Sequence, residues 1–246
     1  MAYQAVFKRY ELKYLLDVQQ EQRLLQAMEP YMALDRYGRT TIRNLYFDTD
    51  DFRLVRRSLE KPVYKEKLRI RSYRQTEGQS PVFVELKKKY KGVVYKRRVS
   101  MPEAEAMAWL GGSAPEQTGQ IIREIGYFCN FYGSLQPKMF LSYEREAYFC
   151  KAGGDFRVTL DENILCRREG LSLSQPPAGT AILPPDRVLL EVKTAGGMPP
   201  WIRSFLSRER LYKTPFSKYG TAYERLVLPN FKGECIYAGN LVSGDL

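Results

Sequence analysis

Polar and apolar positions alternate through KEKLRIRSY (residues 65–73). On a strand, Lys65, Lys67, Arg69 and Arg71 share one face and Leu68 and Ile70 centre the other. The same period of two predicts strands over 5–16, 40–49 (TTIRNLYFDT), 67–73, 81–89 (PVFVELKKK), 93–101, 138–149 (KMFLSYEREAYF), 156–161 (FRVTLD) and 188–194 (VLLEVKT). The segment TEGQS and Gly92 read as turns between neighbouring strands. Helical spacing predicts helices over 17–29, with Asp17 as N-cap and Pro30 as stop, and over 102–110, 115–133, 199–209 and 215–227. The proline-bearing stretch 174–186 reads as a loop. No repeat or linker divides the chain, which predicts one domain over residues 1–246. The expected class is α+β: antiparallel strands in one sheet or barrel, with helices packed outside.

The polar faces are unusual in carrying cations at consecutive same-face positions. Arg9, Glu11 and Lys13 share a face in the first strand, as do Glu85, Lys87 and Lys89 in VELKKK. Lys96 goes with Arg98, Tyr143 with Arg145, Arg157 with Thr159 and Asp161, and Glu191 with Lys193. A solvated face mixes Thr, Ser, Gln, Glu and Lys; aligned like charges repel, and exposed ion pairs offset little of that. A bound polyanion would offset it. If helices cover the apolar faces, the charged faces point into a closed barrel. Cations with a few carboxylates there suit a chain of phosphates and a divalent metal.

The chain carries 39 basic against 28 acidic residues, a surplus of 11 positive charges that again points to an anionic partner. It contains no histidine, which removes the commonest general base and transition-metal ligand and favours a hard cation held by carboxylates. Cys129, Cys150, Cys166 and Cys235 form no CxxC pair, so they read as free thiols rather than zinc ligands or a disulfide framework. The early charges in MAYQAVFKRYELKYLL do not fit a signal peptide, and no apolar run reaches membrane-spanning length, so a soluble cytoplasmic protein is expected. Asp48, Asp50 and Asp51 lack EF-hand spacing and read as a turn and cap. Lys88 and Lys91 are expected to face solvent; Tyr46, Phe47, Tyr143 and Phe149 read as packing residues.

In order along the chain, FKRYELKY, LYFDT, KLRIRSY, VELKKK, SYEREAY, FRVTLD, LLEVKT and FSKYGTAYERL resemble the VTC domain, the polyphosphate polymerase domain of the vacuolar transporter chaperone complex. That domain belongs to the CYTH-like triphosphate tunnel metalloenzymes. The resemblance runs from about Phe7 to Leu226. It implies an antiparallel β-barrel tunnel lined with basic residues, binding a nucleotide triphosphate and a divalent cation, manganese or magnesium. It also implies transfer of the terminal phosphoryl group of ATP onto a growing polyphosphate chain.

By resemblance, Lys13 matches the basic residue of the first tunnel strand, Arg69 and Arg71 the RxR pair, and Lys87 the lysine of ExK. Arg145 matches YxR, Arg157 RxTxD, and Lys218 the lysine of SKY. Lys193 stands beside Glu191, which matches the metal-binding glutamate, with Glu11 and Glu85 as possible helpers. Lys96 and Arg98 join the lining by alternation. Many hydrolytic and cyclase members begin with ExExK, where this chain has Arg9, Glu11 and Lys13. The replaced first carboxylate argues against a two-metal hydrolytic site. Arg69, Arg71, Lys87, Arg145 and Arg157 would grip phosphate oxygens, while Lys13, Lys193 and Lys218 hold the acceptor or the transferring group. Lys65 and Lys67 would sit at a tunnel mouth.

Three other functions remain open at this point. These are a triphosphatase on the same scaffold, a non-catalytic polyphosphate-binding module, and nucleic-acid binding. The last lacks a reading helix, an RNP-like motif or a zinc finger, so no nucleic-acid partner is expected.

Overall fold

The computed structural model describes residues 6–229, with side chains from Tyr10 onward. The side chain of Arg9 and all of Cys235 lie outside the described residues. In chain order the elements begin with β1 (Val6–Asp17), α1 (Val18–Met28), β2 (Met32–Leu34), β3 (Thr40–Asp48), α2 (Arg53–Leu59), β4 (Tyr64–Ser72), β5 (Pro81–Tyr90) and β6 (Val93–Pro102). They continue with α3 (Glu103–Leu110), α4 (Gln120–Tyr132), β7 (Gln136–Cys150), β8 (Arg157–Arg167), β9 (Thr180–Ala181), β10 (Arg187–Thr194), α5 (Pro200–Arg208) and α6 (Lys218–Leu226). No helix among the described residues is long and apolar enough to cross a membrane.

The α+β class and the antiparallel pairing follow the alternation. The ten strands form one sheet, ordered β2-β7-β3-β4-β5-β6-β1-β10-β8-β9, and β7 also pairs with β8. Along residues 140–145, β7 therefore has β3 on one side and β8 on the other. Followed from β7 through β3, β4, β5, β6, β1, β10 and β8, the ladder returns to β7. The circuit surrounds a cavity of about 1640 Å³. Turn chemistry fixes its registers: Lys91 and Gly92, at φ 46° and 84°, make the two-residue loop between β5 and β6 and place Tyr90 opposite Val93.

The outward apolar face is covered in two places. Leu68, Ile70, Val84 and Leu86 pack under α3 and α4, through Trp109, Leu110, Ile125 and Phe128. Leu16, Leu160, Leu190 and Val192 pack under α1 and α5, through Leu24, Met28, Ile202 and Phe205. Helix α6 departs from the expectation of helices packed only outside. Its Tyr219, Ala222 and Tyr223 pack against Met139, Leu141, Tyr143 and Leu189. By alternation these share the face of Arg145 and Glu191, so α6 fills part of one end of the strand circuit.

Several boundaries differ from those the pattern predicts. Helix α4 starts at Gln120 rather than 115, because Gly119 (φ 140°) breaks the helical path. Helix α6 starts at Lys218, where Ser217 caps it by accepting from the Gly220 amide at 3.1 Å. Strand β8 runs on to Arg167, and β9 lies inside the proline-bearing loop. Two elements were not predicted, the three-residue β2 and the seven-residue α2. Asp48 caps α2 from a distance, accepting from the amides of Leu54 and Val55 at 2.8 and 3.0 Å, in line with its reading as a cap. Asp17 caps α1 as expected, accepting from the Gln20 amide at 2.8 Å. Among the described cysteines, Cys129, Cys150 and Cys166 are free thiols.

Candidate functional site: a cation-lined cavity

The alternation that builds each strand brings its charged face to the cavity. Glu11, Lys13, Arg69, Arg71, Lys87, Lys96, Arg98, Arg145, Arg157, Glu191, Lys193 and Lys218 all border it. Glu85 sits behind them at 1% exposure. The site residues expected from the sequence are thus brought to one enclosed space, and the structure divides them into two carboxylate-centred clusters and a lysine-rich end.

The first cluster surrounds Glu85. Its Oε2 accepts from Arg69 Nε and Nη2 at 2.9 and 2.7 Å. Arg71, Arg98 and Lys96 lie 3.8, 3.4 and 3.5 Å from the same carboxylate. Burial alone would push Glu85 upward, but these cations hold its pKa well below the usual carboxylate range. Burial lowers Lys96 to about 8, despite Glu85. The guanidiniums are also held by neutral groups. Arg69 donates to the Tyr46 hydroxyl at 2.8 Å, and Arg71 to Asn44 Oδ1 and the Tyr143 hydroxyl, both at 2.9 Å. Tyr46 and Tyr143, expected as packing residues, do pack, and they also fix the arginine forks.

The second cluster surrounds Glu191 and Asp161. Glu191 lies 3.3 Å from Lys13, 3.5 Å from Arg145, 3.4 Å from Lys193 and 3.2 Å from Lys218. Asp161, fully buried, accepts from Arg145 Nε and Nη2 at 2.5 and 2.6 Å and also pairs with Lys218. Lys218 begins α6, where the helix dipole disfavours a cation. Burial also disfavours its charge, but Asp161 and Glu191 outweigh it and raise its pKa. Gly220 lets this helix end approach closely, since a Cβ there would meet Leu59 Cδ2 at 2.9 Å. Lys193 is lowered by burial to about 8. Glu11 pairs with Lys87 at 2.6 Å, which against the upward push of burial holds it at about 2.

The third region is an end of the cavity lined by lysines. Lys65 faces Lys89 across β4 and β5, and Lys61, Lys91 and Lys213 border the same space. Lys91 is exposed, as expected, and also borders the cavity, whereas Lys88 is half-buried and pairs outside with Glu66 at 3.6 Å. Burial, then the charges of Lys13, Lys87 and Lys65, press Lys67 well below its ordinary pKa, although it donates to Ser217 Oγ at 2.7 Å. Arg157 borders the cavity on an exposed position. Asp161, Asn44, Tyr46, Tyr143 and Ser217 were not singled out as site residues from sequence. Asp161 ends the RxTxD face, a signal that could have found it.

The expected metal ligands differ in fit. Glu85, 1% exposed and shared by four cations, does not border the cavity. Glu11 is held by Lys87. Glu191, 7% exposed and bordering the cavity, offers hard oxygens of the type magnesium and manganese take. Among the described residues, no group of three or more metal-ligating side chains converges. Glu191 therefore fits an ion held by one carboxylate plus phosphate oxygens and water, which is a usual mode for magnesium.

The family model of the VTC domain matches residues 8–227. The chain belongs to the VTC domain family. Among curated proteins none matches it in sequence. Its fold is that of a candidate adenylate cyclase from Bacillus halodurans, at 16% identity and a TM-score of 0.57, covering 91% of this chain and 100% of the other. A more distant match is a candidate adenylate cyclase from Vibrio parahaemolyticus, at 10% identity and a TM-score of 0.43, covering 87% of this chain and 97% of the other.

Proposed function

We propose that this protein is a polyphosphate polymerase, moving the terminal phosphoryl group of ATP onto an inorganic polyphosphate chain held in a tunnel through the strand circuit. The observation that carries the reading is the excess of inward cations over carboxylates in a VTC domain. Arg69, Arg71, Lys96 and Arg98 share Glu85, and Lys13, Arg145, Lys193 and Lys218 share Glu191 and Asp161. Such clusters carry their own counter-anions and remain net positive for a polyanion.

Phosphoryl transfer needs positioning and charge neutralisation more than covalent chemistry. The arginines of the two clusters would bind non-bridging oxygens of ATP in fork geometry. The acceptor's terminal phosphate oxygen forms the new bond to the γ-phosphorus as the γ-phosphorus–oxygen bond to ADP breaks. That nucleophile is already anionic near neutral pH, so the step needs no histidine base. Lys218 and Lys13, side by side on Glu191, would hold the transferring group between donor and acceptor. Glu191 would hold the divalent cation, which supplies neutralisation of phosphate-oxygen charge.

The test is stoichiometry. With a short polyphosphate primer, manganese and ATP, polymerase action releases ADP with no orthophosphate. Release of one orthophosphate per ADP would instead make the protein a triphosphatase.

A further inference from the structure

The two ends of the cavity differ in chemistry. One end is bordered by Lys65, Lys89 and Lys213. Eight residues along β4 from Lys65, or roughly 26 Å of strand, stands Tyr73. Among the described residues, Tyr37 and Tyr73 are the exposed aromatic side chains that border the cavity, at 65% and 40% exposure. Both belong to the end opposite the lysines. Tyr73 follows Ser72, which pairs with Arg43, and Tyr37 lies just before that same strand β3. At the lysine end the aromatic ring bordering the cavity, Phe216, packs against the apolar core around α6.

Phosphate binding does not account for Tyr73. A phosphate chain has no apolar face for a ring to cover. Yet the ring is held in place: Phe83 meets it edge-on with centroids 5.8 Å apart. Its hydroxyl accepts from Arg98 Nη2 at 3.2 Å, and the Arg98 guanidinium lies 5.6 Å from its centroid. The same Arg98 reaches inward to Glu85 at 3.4 Å, and through Glu85 joins Arg69 and Arg71. A fixed, partly exposed ring thus stands at the mouth of the phosphate-binding arginines. A ring immobilised before binding loses little freedom on stacking, and any base offers a π-face.

We propose that Tyr73 is the platform on which the nucleobase of the nucleoside triphosphate stacks, with the phosphates running inward past Arg98 to Arg71 and Arg69. The inference rests on the proposed function for the presence of a nucleotide, and adds which end receives it. The lysine end is then left to the phosphate chain. Because stacking is tolerant of base identity, the platform selects for a nucleoside over a bare phosphate chain rather than for adenine.

The test is calorimetric binding of tripolyphosphate, and separately of an ATP analogue with a non-hydrolysable β–γ bridge, to the wild type, Tyr73→Ala and Tyr73→Phe. Tyr73→Ala is expected to lose about 5- to 160-fold in affinity for the analogue, the range typical of one base stacked on an aromatic ring. Its tripolyphosphate affinity stays within about twofold, since stacking contributes nothing there. Tyr73→Phe, which keeps the ring and loses the bond to Arg98, restores the analogue affinity. Equal analogue affinity in Tyr73→Ala and wild type would overturn the inference. So would a matched loss for both ligands, which would make Tyr73 a support for Arg98. If the wild type binds no tripolyphosphate, the phosphate-site reading itself fails, and the inference with it.

Discussion

Two N–H groups of Arg69, Nε and Nη2, converge on a single carboxylate oxygen of Glu85, at 2.9 and 2.7 Å. Arg71, Lys96 and Arg98 share that carboxylate. One buried anion thus keeps the empty cluster from repelling itself apart while leaving it net positive. Glu85→Gln removes that anion and is expected to destabilise the empty protein by on the order of 3–5 kcal/mol, as when one partner of a buried pair is lost. Tripolyphosphate would replace the missing charge, so it should raise the melting temperature of Glu85→Gln more than that of the wild type. Equal shifts in the two proteins would show that Glu85 and phosphate do not serve the same cations.

Burial places Lys96 and Lys193 at about 8, so in the empty site both are charged at pH 7 and mostly neutral at pH 9. A bound phosphate favours the charged forms. Tripolyphosphate binding at pH 8 should therefore take up protons, and affinity should fall by about tenfold per lysine between pH 7 and pH 9. Calorimetry at pH 8 in two buffers of different ionisation enthalpy measures the uptake. Lys193→Arg, which stays charged, should reduce both effects. An affinity that does not change up to pH 9 would contradict this account.

Glu191 stands among Lys13, Arg145, Lys193 and Lys218. Glu191→Gln should abolish binding of manganese in the presence of tripolyphosphate, read by the loss of free-ion signal in electron paramagnetic resonance. It should leave tripolyphosphate binding intact or tighter, since an anion has been removed from a ring of cations. Unchanged manganese uptake would take the metal role away from Glu191.

Lys65 and Lys89 face each other at the lysine end. Replacing both with alanine should weaken binding of long polyphosphate by about tenfold, while tripolyphosphate, seated deeper, changes by about twofold or less. The contrast is read by competition between the two ligands. An equal loss for both would place the lysines in the central site.

The fold was legible wherever a local rule decides it. KLRIRSY and VELKKK alternate, so the sequence alone sorts Arg69, Arg71 and Lys87 from Leu68 and Leu86, and Asp17 announces the start of α1. What stayed hidden depends on distance along the chain. Helix α2 spans seven residues and takes its cap from Asp48, five residues ahead, after Phe52 at φ 57°. Whether a helix lies outside the sheet or fills its end depends on which face it meets, and the amphipathic pattern of α6 does not show that. In the site, alternation brings a carboxylate to the cavity without naming its partner. Glu85 stands two residues before Lys87 but binds arginines, while Lys87 binds Glu11 from another strand. Asp161 and Lys218, 57 residues apart, meet only once β8 and α6 are in place.

Phosphoryl groups from ATP are proposed to accumulate in a chain held by this cavity. The direct measurement is incubation of the purified protein with ATP and manganese, followed by sizing of phosphate polymers on a polyacrylamide gel. The expected result is a ladder of long polyphosphate that lengthens with time, with ADP as the co-product. Consumption of ATP to ADP and orthophosphate with no polymer would contradict it.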